Sequence, residues 1–224
     1  MGIEQLQTKF PKRAFSSTEA NDIGISARML TYLVKKGKIQ RISRGLYALS
    51  GLDLGGDDWK YYDLATTANS YKDAVICLVS ALSYWEMTEE VARSHWLAFP
   101  NNHPPVKNKM VRMLRPRNLE SGVIKIKISG IEVKITDRER SLIDAFKHLD
   151  EESAVTSFRL YLSQEESKIN IPKLVKYAVQ LREVKLLKIL KDMAAAQVKS
   201  YPALKGKAFK DVVKEISKLE KTHD

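Results

Sequence analysis

From Phe15 to Ser50 the chain carries start signals, stop signals and apolar faces for two short helices and a hairpin, with almost no residue left over. Ser16 and Glu19 have capping-box spacing, so the first helix can satisfy its own orphan amides. Ala20 and Gly24 lie four apart: a small residue lets two helices approach, and glycine accepts the positive φ of a sharp turn between them. Ser26 then caps a second helix predicted to reach about Lys36, with Gly37 as its stop. Two β-type runs follow, Ile39 to Ser43 and Leu46 to Leu49, joined tightly by Arg44-Gly45. Helix, turn, helix and hairpin in this order predict a winged helix-turn-helix over residues 15–50.

The second helix has two chemically different faces. Leu30, Leu33 and Val34 share one, while Arg28, Thr31, Tyr32 and Lys35 recur at i, i+3, i+4 and i+7 on the other. Arginine can take guanine O6/N7 bidentately, and lysine and tyrosine can reach phosphate. Double-stranded DNA is therefore the expected partner, with Ser26, Arg28, Thr31, Tyr32 and Lys35 on the reading helix and Arg41 and Arg44 on the hairpin. The competing reading is a cationic face that is merely solvated on a fold used for protein contact.

Charge supports the first reading. The formal net charge is +11, and it is unevenly spread. Residues 1–55 hold nine Lys/Arg against four acids and residues 170–224 thirteen against six, whereas 56–169 hold sixteen against seventeen. Both ends of the chain would thus meet an anionic surface. The lone cysteine, Cys77, lies in an apolar run, which rules out a disulfide within the chain and suits a reducing cytoplasm. The first 25 residues lack a signal-peptide core, and the longest apolar stretch, Ala74 to Val79, is far too short for a bilayer. A cytoplasmic protein without membrane attachment is expected.

Ser50-Gly51 through Gly55-Gly56-Asp57-Asp58 reads as a linker. It divides a DNA-binding domain, 1–55, from a second domain, 56–224. There, helices are predicted from Trp59 to Tyr71, capped by Asp57 or Asp58, and from Val79 to Met87. A β region follows, with strands at His95 to Phe99, Met110 to Arg115, Val123 to Ile128 and Ile131 to Thr136, the last two joined by Ser129-Gly130 as a hairpin. Its register places Ile128, Ile126 and Ile124 opposite Ile131, Val133 and Ile135; on the other surface Lys127 faces Glu132 and Lys125 faces Lys134. Thr136 and Glu139 repeat the capping-box spacing before a helix from Asp137 to His148. Further helices are predicted at Ala154 to Leu162, after the Asn170 cap with Pro172 in its first turn, at Val184 to Ala196, and at Lys207 to Lys221 with a lysine stripe. The fold class expected is α+β: an N-terminal winged helix-turn-helix, then a mixed α/β domain with a β-hairpin and a C-terminal set of helices.

Little in the chain looks catalytic. No GxSxG, phosphate-binding loop, HExxH or paired CxxC is present, and His95, His103, His148 and His223 lack metal-ligand spacing. Cys77 reads as core rather than nucleophile. No metal and no cofactor are expected. Glu132-x-Lys134 on a strand is the pattern that Mg²⁺-dependent nucleases of the restriction type use, but a cross-strand pair of Glu132 with Lys127 explains it more simply.

The run ARMLTYLVKKGKIQRISRGLYALSG, then LVSALSYWEMT, then VKITDRERSLIDAFKH and several basic helices resemble the AbiEi antitoxins. These are encoded beside AbiEii nucleotidyltransferase toxins in type IV toxin–antitoxin and abortive-infection loci of phage defence. The resemblance runs from about residue 10 to about residue 195. It implies a winged domain that binds inverted repeats in its own promoter and represses the operon, and a second domain that neutralises the toxin. By position, Arg28, Thr31, Tyr32, Lys35, Arg41 and Arg44 would read or clamp the operator. For the antitoxin activity, Arg138, Arg140 and Lys188 are candidates by charge alone, with ion pairing at a helix terminus as the competing role of Arg138 and Arg140. Two alternatives stay open: a transcriptional regulator of this architecture with no toxin partner, and a Mg²⁺-dependent nuclease.

Overall fold

The computed structural model describes residues 2–43, 45–52 and 60–195. Arg44, the cap at Asp57 or Asp58, most of the linker and the helix expected at 207–221 lie outside the described residues. The chain forms two compact units, one of Met1–Lys72 with Lys125–Val133, the other of Asp73–Ile124 with Lys134–Asp224. The first extends past the 1–55 segment marked off by the linker.

The first unit begins with a helix that the reading from Phe15 onward left out, α1 (Gly2–Lys9). Its Leu6 and the following Phe10 are buried beside Phe15, Ala20, Ile25, Leu30, Leu33 and Ile39, and the Phe10 and Phe15 rings stack at 4.9 Å. Then come β1 (Phe15–Ser16), α2 (Ser17–Asp22), α3 (Ala27–Lys35), β2 (Ile39–Ser43) and β3 (Leu46–Leu49). The strands form an antiparallel sheet in the order β1-β3-β2, with an irregularity between Arg41 and Ser43. Helix α4 (Tyr62–Asn69), shorter than expected, completes the run.

Next along the chain β4 (Val75–Ile76) is followed by α5 (Leu78–Tyr84), β5 (His95–Ala98), β6 (Val111–Leu114), β7 (Val123–Ile128) and β8 (Ile131–Thr136), of which Lys125–Val133 is counted with the first unit and the rest with the second. The sheet order is β6-β5-β4-β8-β7, with β4 antiparallel to β5 and parallel to β8, and β5 parallel to β6. Helices α6 (Arg138–His148), α7 (Glu151–Leu162), α8 (Ile171–Gln180) and α9 (Val184–Ala195) follow. They enclose an apolar core that includes Leu142, Phe146, Phe158, Tyr161, Leu174 and Leu190. The α+β class and the N-terminal helix-turn-helix arrangement are as expected. Among the described residues no helix is long and apolar enough to cross a membrane.

Two local readings need correction. The cap of α6 is Asp137, whose side chain accepts from the Arg140 amide, rather than Thr136. The Thr136 hydroxyl is occupied by Ser141 at 2.8 Å, and Glu139 instead takes the Tyr161 hydroxyl at 2.9 Å and the Lys173 ammonium at 3.1 Å. Burial alone would lower the Lys173 ammonium, but its bonds to Asp137 and Glu139 outweigh that and hold it above the ordinary range. The second correction is at the hairpin, where Glu132 pairs diagonally with Lys125 at 3.5 Å, both side chains well exposed. A diagonal pair eases the opposition of Lys125 and Lys134 that the register imposes.

The β7–β8 turn has positive φ at both Ser129 (48°) and Gly130 (79°), the signature of a type I′ hairpin. A Cβ at Gly130 would lie 2.7 Å from the Lys12 carbonyl oxygen and 2.7 Å from the Arg13 Cβ. Gly130→Ala therefore combines a disfavoured φ with a clash against backbone, and is expected to cost about 1–3 kcal/mol. A urea unfolding midpoint unchanged from the parent would contradict this.

Candidate nucleic-acid interface

Helix α3, the candidate reading helix, is held from both ends. Ser26 Oγ accepts from the Met29 amide at 3.3 Å, and Gly24, at φ 83°, makes the turn from α2. The turn is closed by the Gly24 amide on Asn21 O and the Ile25 amide on Ala20 O, both 2.9 Å. At the far end the Lys38 amide donates to Leu33 O at 3.0 Å.

Helix α2 supports α3 and is itself clamped. Its capping box is complete: the Glu19 amide donates to Ser16 Oγ at 3.1 Å and the Ser16 amide to Glu19 Oε2 at 2.8 Å. Arg13 Nη2 reaches Glu19 Oε1 at 2.7 Å, and the Tyr62 hydroxyl of α4 donates to Glu19 Oε2. Burial pushes the Glu19 carboxyl up, but the Arg13, Tyr62 and Ser16 bonds and the Arg13 charge outweigh it, so it titrates below the usual carboxylate range. Tyr62 is driven the other way, by burial first and then by the carboxylate it donates to. Glu19 thus ties α2, β1 and α4 into one support.

On this support α3 buries Leu30 and Leu33 and leaves Arg28, Thr31, Tyr32 and Lys35 exposed, as the pattern of faces predicts. The Thr31 hydroxyl donates back to Ala27 O at 3.0 Å, which leaves it as an acceptor toward any outside group. Two further side chains join the exposed face. Lys36 lies 5.8 Å from the Tyr32 ring centroid, and Met29 is 40% exposed. Neither was singled out from the sequence, although Met29, Tyr32 and Lys36 stand at i, i+3 and i+7, the same helical spacing. Arg41 is exposed on β2.

The candidates of the second unit separate. Arg140 is 3% exposed. It binds Asp144 Oδ1 at 2.9 Å through Nε, and its two terminal nitrogens donate to Ser121 O at 2.7 Å and Asn118 O at 2.8 Å. That placement removes it from any contact surface. Arg138 lies over the Trp85 ring at 4.4 Å and donates through Nε to Gln164 at 3.2 Å, while Trp85 Nε1 donates to Thr136 O at 2.7 Å. The SALSYW and ITDRER segments, distant in sequence, meet here. Lys188 is exposed on α9 and borders a cavity of about 370 Å³ with Phe146, Leu149 and Ile189. The structure does not bring Arg140 together with either of them. Cys77 is fully buried, and burial pushes its thiol well up. Among the described residues no group of three or more His, Cys, Asp or Glu could hold a metal ion.

A comparison with protein families matches residues 5–50 to the model described as "Transcriptional regulator, AbiEi antitoxin". The matched segment contains most of α1, the whole helix-turn-helix and the hairpin. The comparison with curated proteins gives no match. Residues 5–50 thus carry a transcriptional-regulator domain similar to that of the AbiEi antitoxins.

Proposed function

We propose that the chain is a cytoplasmic, non-enzymatic antitoxin that represses its own operon. Its first unit binds inverted repeats in promoter DNA, and its second neutralises a nucleotidyltransferase toxin without a cofactor. The observation that carries the DNA half is α3 itself: a helix capped at Ser26, backed by the Glu19 support, presenting Arg28, Thr31, Tyr32 and Lys35 to solvent. Arg28 supplies a fork for guanine, and Lys35 a point charge for phosphate. Arg41 on β2, with Arg44 by its place in the sequence, extends the backbone contacts. Inverted repeats seat two copies, and with six phosphate contacts in all log K falls against log salt with a slope of about −5. The antitoxin half rests on the family match over residues 5–50.

Two experiments test these halves. In fluorescence anisotropy with promoter duplex, Arg28→Ala should weaken binding about 5- to 150-fold and relax specificity at one base pair. Lys35→Gln should weaken all sequences alike and reduce the salt slope by about one per copy. Equal binding by parent and variants to operator and random DNA would remove the operator reading. Co-expression with the neighbouring toxin gene then scores growth: rescue by both the parent and a DNA-binding-defective Arg28→Ala chain supports antitoxin activity seated outside the reading helix. Failure of the folded parent to rescue would leave a regulator with no toxin partner.

A further inference from the structure

An apolar pair stands on a face otherwise built of cations and a hydroxyl. Met29 and Tyr32, 40% and 53% exposed, are two of the few large hydrophobic side chains that the described residues leave in solvent, and they lie one helical turn apart on α3. Exposed apolar neighbours of this size ask for a partner surface.

Their setting indicates which surface. Met29 is in the first turn of α3, its amide held by Ser26 Oγ, and the first turns of a reading helix are the part that reaches base edges. Its side chain is backed by α1: a Cβ on Gly2 would lie 3.5 Å from Met29 Cγ and 3.8 Å from Sδ. The thioether is therefore supported from behind on a residue that stays 40% exposed. Tyr32 carries the Lys36 ammonium near its ring, which keeps a cation beside the pair. In the major groove the one apolar group on a base edge is the C5-methyl of thymine, and it sits among acceptors and phosphates that suit Arg28, Lys35 and Lys36.

We infer that Met29, flanked by Tyr32, is a specificity residue that packs on the C5-methyl of thymine in the operator. The inference rests on the DNA-binding reading above and adds to it the base that the reading helix prefers. Met29 contributes no hydrogen bond, so its discrimination is between thymine and bases lacking the methyl. Arg28 acts independently on guanine.

The test uses the full chain and a duplex that it enriches from a randomised pool. That duplex is resynthesised with deoxyuridine replacing thymidine at one position at a time, which deletes a single methyl and nothing else. For the parent, one position per half-site should weaken binding about fourfold, the worth of one buried methyl. For Met29→Ala that position should become insensitive, while Met29→Leu should retain most of the effect. Equal deoxyuridine penalties in parent and Met29→Ala, or no sensitive position, would overturn the assignment while leaving DNA binding in place. A parent that enriches no duplex overturns both readings. Sedimentation without DNA supplies the last arm: a dimer lost in Met29→Ala would give this face to a second copy of the chain and overturn the inference.

Discussion

Arg140→Ala should destabilise the second unit by about 3–5 kcal/mol, the cost of stranding one member of a buried ion pair. Asp144, 3% exposed, would keep its carboxyl in the core with no guanidinium against it, and the Ser121 and Asn118 carbonyls would lose their donors as well. Burial already pushes the Asp144 carboxyl above its ordinary value, and Arg140 offsets only part of that. The deficit of Arg140→Ala should therefore shrink as pH is lowered and Asp144 takes a proton. Against a total stability of about 5–15 kcal/mol, such a loss moves the urea midpoint far down. Replacing both partners by apolar residues, Arg140→Met with Asp144→Leu, should recover most of it. An Arg140→Ala chain with an unchanged midpoint would show that the pair carries little. Any loss of growth rescue in Arg140→Ala is then expected to follow lost folding, and Lys188→Ala is the cleaner probe of surface contact.

The second large effect belongs to the reading head. Glu19→Ala should cost about 2–4 kcal/mol there. It removes one half of a capping box, worth about 1 kcal/mol, and leaves the partly buried Arg13 guanidinium and the buried Tyr62 hydroxyl without the Glu19 carboxylate to accept from them. Because the support under α3 loosens, operator affinity should fall together with stability, whereas Arg28→Ala lowers affinity alone. Glu19→Gln separates charge from shape. The native carboxyl titrates below its ordinary 4.5, so its contribution is fully present above that value and is lost as pH falls through the depressed one. In Glu19→Gln that acid limb should flatten. Thermal unfolding followed by circular dichroism between pH 3 and pH 7 (a window chosen to span roughly the carboxylate range) decides it. Identical pH profiles for parent and Glu19→Gln would mean the carboxylate is not the linked group.

What the sequence made legible was local. The Ser16–Glu19 box, the Ser26 and Asn170 caps and the Ser129-Gly130 hairpin each depend on residues within a few positions, and each formed as spaced. What failed depended on partners far along the chain. Strand β4 is only Val75–Ile76, too short to show a period of two, yet it joins β5 to β8. Arg140 was a contact candidate by charge, with ion pairing at the helix terminus as its competing role; it does pair, but in the core and with Asp144 four residues on, because charge says nothing of burial. Glu139 looked like a cap until Tyr161 and Lys173 came to it from α7 and α8. Helix α1 was the avoidable omission, since Ile3, Leu6 and Phe10 already have helical spacing. On α3 the exposure of the charged and hydroxylic residues was legible from their type, whereas that of Met29 was not, because a methionine reads as core.

The first unit is assembled from Met1–Lys72 and from Lys125–Val133, with all of 73–124 intervening. During synthesis the N-terminal part leaves the ribosome first but cannot finish packing until residue 133 has followed it out. Its maturation is set by the closing of that long loop, a slow, non-local step, rather than by its own fast helices. A transcript broken off before that point would keep the Glu19 support under α3 but leave the Lys12–Arg13 backbone without the Gly130 turn that packs against it.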